Sequence, residues 1–109
     1  MSDTPRSTRD LVVRTESWDE AIHFYGAVLG FSVCHDGPGI RGFDTGSLRL
    51  FVEKGAHHGP IVEFLVRDVE EAKGRLLSHG CSLLEEDARI PRCYLRDPYG
   101  LVFNLGPAG

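Results

Sequence analysis

Apolar and polar residues along this chain follow two periods, one of strand type and one of helix type, and the switches between them occur twice in the same order. Leu11-Val12-Val13-Arg14 is a short strand-like run. Ala21, Ile22, Phe24, Tyr25, Val28 and Leu29 then recur at helical spacing behind Ser17-Trp18-Asp19-Glu20. Ser17 stands where an N-cap is expected, with Glu20 three residues on as in a capping box, and Gly30 follows as a C-terminal stop. Strands are predicted over residues 31–35, 40–44 and 47–53, separated by Gly-Pro-Gly and Thr-Gly turns. Residues 54–59 have no period and read as a linker. The order then returns: the run Ile61-Val62-Glu63-Phe64-Leu65-Val66, a helix behind Asp68 carrying Val69, Ala72, Leu76 and Leu77, a stop at Gly80, and strands over 81–85, 93–96 and 101–105. The pattern predicts an α+β fold in one domain spanning 1–109. It consists of two βαβββ units, about 10–53 and 60–106, whose curved antiparallel sheets surround a cleft with one helix packed outside each.

Composition narrows the classes of partner. A net charge of -4, a pI near 5.7 and scattered Lys and Arg argue against nucleic acid and against an anionic membrane surface. No apolar run approaches the roughly 20 residues needed to span a bilayer. Cys34, Cys81 and Cys93 are odd in number and lack CxxC spacing, and the polar stretch from Met1 to Arg9 is unlike a secretory signal. A cytoplasmic protein with reduced thiols is expected. For a chain this small, a second subunit adds useful buried area.

The stretches "AIHFYGAVLGFSV" and "RDPYG" resemble the signatures of the vicinal oxygen chelate superfamily, which includes glyoxalase I, extradiol dioxygenases and the fosfomycin- and bleomycin-resistance proteins. The resemblance covers Asp10 to Gly106. It implies a homodimer with paired clefts. It also implies four metal-ligand positions, on the first and last strand of each unit, usually His or Gln and Glu. Here those positions fall on Asp10, Arg49, Ile61 and Asn104: a carboxylate, a cation, a hydrocarbon and an amide, a poor set for a divalent ion. No cofactor is therefore expected. The alternative is a divalent metal on a non-standard set, Asp10 with either Asn104 or the pair His57 and His58. The two histidines are adjacent, point opposite ways in an extended segment, and read more simply as solvated loop residues. His23, His35 and His79 read as ordinary surface or element-end residues.

Strand alternation places Val12, Arg14, Phe51, Glu63 and Leu65 on the face of those four positions, and the fosfomycin-resistance pattern adds Arg92 and Tyr94. The expected ligand-binding residues are thus Val12, Arg14, Arg49, Phe51, Ile61, Glu63, Arg92, Tyr94 and Asn104. This mixture of apolar, aromatic and a few polar groups suits a small organic molecule. Several arginines favour an anion, unless they pair with Glu63 or Asp10 and neutralise a polar seam. The cysteines lack a paired histidine, so a thiol nucleophile is not favoured. The leading expectation is a metal-independent small-molecule binder of bleomycin-resistance type. A metal-dependent lyase, isomerase or dioxygenase and a pure interaction module are the competing readings.

Overall fold

The computed structural model describes residues 3–90 and 92–108. In chain order the elements are strand β1 (Arg6–Thr15), helix α1 (Trp18–His23) continued by a π-helical turn (Phe24–Val28), and strands β2 (Ser32–Gly37), β3 (Ile40–Asp44) and β4 (Arg49–Lys54). Then come β5 (His58–Val66), helix α2 (Val69–Ser78), β6 (Ser82–Asp87), β7 (Arg92–Arg96) and β8 (Val102–Pro107). The fold is α+β. Two compact units divide it: Arg9–Ile61, and everything from Val62 onward together with the chain up to Thr8.

In the first unit the strand order is β2-β3-β4-β1. The β2/β3 and β3/β4 pairs are antiparallel, but β1 and β4 run parallel, with Val12 opposite Phe51. The second unit repeats this as β6-β7-β8-β5, with β5 and β8 parallel and Glu63 opposite Asn104. The sheets are therefore mixed, which corrects the antiparallel expectation: a helical crossover between the first and second strands of each unit returns the later strands beside the first in a parallel sense. The predicted linker is also shorter, because β5 already begins at His58.

Each helix packs on a sheet face of its own unit. Under α2, Val66, Ala72, Cys93, Leu95, Phe103 and Leu105 form a closed core, and the rings of Phe64 and Phe103 pack at 5.1 Å. Asp68 caps α2 as a β-region residue whose carboxylate accepts the Glu71 N–H at 3.0 Å. In the first unit the Trp18 indole donates to the Val52 carbonyl at 2.8 Å, Tyr25 packs against the buried Phe43, and Gly26 leaves room for the Phe43 ring.

Two local expectations differ from the structure. Ser17 sits at the α1 N-cap but makes no side-chain capping bond; its own N–H donates to Thr15 Oγ1 at 3.0 Å. The helix then widens, with Leu29 N–H bonding to the Phe24 carbonyl and Phe31 N–H to the Tyr25 carbonyl. That wider turn leaves Phe24, Val28 and Leu29 about half exposed, so Phe24 is not the core anchor its spacing suggests.

Candidate functional site

Each sheet presents the face opposite its helix, and one row of residues crosses that face in each unit. Both β-hairpins carry a bulge at the same place, one extra residue between Val33 and His35 and one between Leu83 and Glu85. The bulges align the two units. From edge to first strand the rows are His35-Gly42-Phe51-Val12 and Glu85-Tyr94-Asn104-Glu63. Asn104 is therefore equivalent to Phe51. Arg49, assigned to that position from the sequence, lies two residues earlier on β4 and pairs in register with Asp10.

The first row is apolar and aromatic. The Phe51 ring lies across Gly42, where a Cβ would come within 2.8 Å of its Cε1, and the His35 ring stands 5.9 Å away. The sequence reading missed this role of His35 because the bulge resets alternation along β2. On one side of the plate, Arg49 makes a two-point bond to Asp10, Nε to Oδ1 at 2.7 Å and Nη2 to Oδ2 at 3.0 Å, and its guanidinium lies 5.7 Å from the Phe51 centroid. On the other side, Arg14 Nε approaches Glu53 Oε1 at 3.4 Å, its stem packed over Gly55.

The second row is polar. Asn104 Oδ1 accepts the Cys93 N–H at 2.8 Å, and its amide nitrogen donates to Glu63 Oε2 at 3.2 Å. The regular β7/β8 register begins at Tyr94, so the amide carries the ladder one group further along β7. Glu63 reaches over Gly106, where a Cβ would sit 3.3 Å from Oε2. Arg92 covers the buried Tyr94 ring at 5.0 Å and donates to Glu85 Oε2 at 2.8 Å. Ile61 is buried.

All three arginines expected to attract an anion, Arg14, Arg49 and Arg92, thus have carboxylate partners on their own sheet. Glu63 is held instead by a neutral amide. Among the described residues no three His, Cys, Asp or Glu side chains form a metal-binding group. Burial raises the Cys93 and Cys81 thiols above their ordinary range, nearby acids adding to the effect, which disfavours the reactive thiolate. His57 is exposed, His58 is half-buried in β5, His23 is exposed, and His79 ends α2.

A fold of this construction, α+β with mixed strand pairing and two helices, defines the class. Residues 10–106 match the glyoxalase-like domain family, and the chain belongs to it, within the glyoxalase/bleomycin resistance/dioxygenase superfamily. Solved structures agree on the fold. A superfamily member from Vibrio splendidus is 18% identical, with 94% of this chain and 97% of that one covered and a TM-score of 0.64. A methylmalonyl-CoA epimerase from Streptomyces coelicolor is 17% identical over 94% and 96%, with a TM-score of 0.60. An extradiol ring-cleaving dioxygenase from B. fuscum is 21% identical; 96% of this chain covers 33% of that one, with a TM-score of 0.62. No curated protein matches the chain. No helix among the described residues is long and apolar enough to cross a membrane.

Proposed function

We propose that this glyoxalase-like protein binds a small organic molecule on the open sheet faces without a metal, as a homodimer. The observation that carries the reading is the commitment of Asn104: one end of its amide accepts a backbone N–H and the other donates to Glu63. An amide so oriented, neutral and already sharing its oxygen with a backbone N–H, is a weaker cation ligand than a carboxylate. The other positions at which the family resemblance implies ligands hold a hydrocarbon, Ile61, and an Asp10 bonded at two points by Arg49. Phe51, the internal equivalent of Asn104, has no donor atom. This set does not fit a divalent ion.

The ligand chemistry follows from what the faces offer. Phe51 over Gly42 is a flat apolar plate for an aromatic or alicyclic body. Glu63 accepts hydrogen bonds from a hydroxyl, amide or amine. With Arg14, Arg49 and Arg92 already facing carboxylates, a neutral or donor-bearing molecule fits better than the anion suggested by counting arginines in the sequence. The exposed apolar residues Phe24, Val28, Leu29 and Val33 support pairing with a second copy.

The test is a thermal-shift screen of neutral, anionic and cationic aromatic compounds beside metal analysis of protein exposed to Zn, Ni, Mn or Fe and then desalted. Stabilisation by a metal-free ligand, reduced by Glu63→Gln and Phe51→Ala, is the expected result; a ligand at a hundred times Kd stabilises by about 2.7 kcal/mol. Stoichiometric retained metal overturns the reading.

A further inference from the structure

Within the first unit a cavity of about 430 Å³ lies between the end of β1, the start of α1 and the start of β5. Its volume falls in the range of ordinary small-molecule sites, roughly 300–1,000 Å³. Val13 and Tyr25, which line it, belong to the helix-covered side of the sheet, because Val13 alternates with Val12 and Tyr25 packs on Phe43. The cavity therefore lies on the helix-covered side, away from Phe51 itself, with Arg14 the one residue shared with the edge of the plate. Val13, Ala21 and Pro60 form its apolar wall.

Its polar groups have defined roles. His58 Nδ1 lies 3.1 Å from the Gly59 carbonyl, which can only accept, so Nδ1 carries a hydrogen. In the neutral ring Nε2 is then an acceptor. Thr15 Oγ1 already accepts the Ser17 N–H at 3.0 Å, which leaves its hydroxyl hydrogen to donate. The Tyr25 ring is held edge-on by Phe24 at 5.4 Å and against Phe43 at 6.1 Å, so its hydroxyl is presented from a fixed ring. Arg14 also lines the cavity, but its guanidinium faces Glu53. Charge attraction is therefore not the organising feature.

We propose that this cavity is a second binding site, for a compact neutral molecule with an aromatic body and one hydroxyl, a phenol or benzylic alcohol. The hydroxyl hydrogen is donated to His58 Nε2, its oxygen accepts from Thr15 or Tyr25, and the ring packs against Val13, Ala21 and Pro60. Nothing in this requires the sheet faces to bind anything.

The experiment is an NMR titration of the full chain at pH 8 with phenol and, separately, with benzene. Phenol should give saturable shifts at Val13, Ala21, Tyr25 and His58. Benzene should bind at least about fivefold more weakly, as expected for loss of one or two hydrogen bonds. His58→Phe keeps the ring shape and removes the acceptor, so it should narrow the gap between the two probes to the one hydrogen bond that Thr15 or Tyr25 still donates. Ala21→Leu fills the cavity and should abolish both. Glu63→Gln should leave the phenol shifts unchanged, which separates this site from the proposed function. Equal affinity of phenol and benzene for the wild-type chain, or saturable shifts confined to Phe51 and Glu63, overturns the proposal. The wild-type comparison decides even where a variant does not fold.

Discussion

Asn104 joins a strand backbone to a carboxylate through one side chain. In sequence it is an amide interrupting an apolar strand, at a place where metal-binding relatives are expected to carry a carboxylate. In the structure it bonds the Cys93 N–H and the Glu63 carboxylate. Cys93 is buried, so Asn104→Ala leaves a backbone donor without its partner and should cost about 1–3 kcal/mol in chemical denaturation. Asn104→Asp tests the other end of the amide. It keeps an acceptor for Cys93 but sets a second carboxylate against Glu63, and two such neighbours resist joint ionisation. One of them then has a folded pKa above its unfolded value, so the folded state holds the extra proton. The variant's stability should fall as pH rises from about 5 to about 8. A pH-independent penalty in denaturant melts would show that Asn104 and Glu63 are not coupled.

At the scale of elements, most of the fold was legible because each helix and strand carries its own period and each helix its own glycine stop. Gly30 and Gly80 do adopt the left-handed conformation, with φ of 81° and 101°. What could not be read was long-range or geometric: the parallel pairing of first with last strands, the bulges that reset alternation, and the widened end of α1. Caps illustrate the limit. Ser17 and Asp68 have equally good N-cap chemistry, yet only Asp68 makes the bond. Asp68→Ala should therefore destabilise by about 1 kcal/mol and Ser17→Ala by distinctly less; equal losses in denaturant melts would contradict the observed geometry.

The start of α2 carries a second device that sequence could not show, because its partner is far away in the chain. Asp3 accepts the N–H groups of Arg67, at 2.9 and 3.1 Å, and Asp68, at 3.0 Å. The Arg67 N–H, followed by that of Asp68, holds the Asp3 carboxyl below its ordinary value. A folded pKa below the unfolded one, near 3.9, gives stability that is present above the unfolded value and is lost as pH falls through the folded one. Asp87 is lowered in the same sense, first by Arg89, so acid melts of the wild-type chain combine both. The difference between wild type and Asp3→Asn isolates the first: it should be largest above about pH 5 and shrink below about pH 3. A difference constant over that range would remove Asp3 from the pH dependence.

For the whole molecule, the identities of the face residues were largely legible and their electrostatics were not. Alternation placed Val12, Arg14, Phe51 and Glu63 on their faces, but a list of side chains says nothing of which charges cancel. Arg49 with Asp10, Arg14 with Glu53 and Arg92 with Glu85 are each within 3.4 Å or closer. A chain of net charge -4 whose face arginines are matched in this way has little long-range attraction for an anion. The Debye length shrinks from about 10 Å at 0.1 M salt to about 3 Å at 1 M, so binding driven by uncompensated charge would weaken strongly over that interval. Binding of a neutral aromatic compound to the sheet faces should instead change by less than about twofold in isothermal titration. Asp10→Asn and Glu53→Gln, which release Arg49 and Arg14 from their carboxylates, should confer affinity for the matching aromatic carboxylate together with a steep salt dependence. If the wild-type chain already shows that preference and that slope, the arginines act on the ligand rather than on their neighbours, and the anion reading of the sequence is restored.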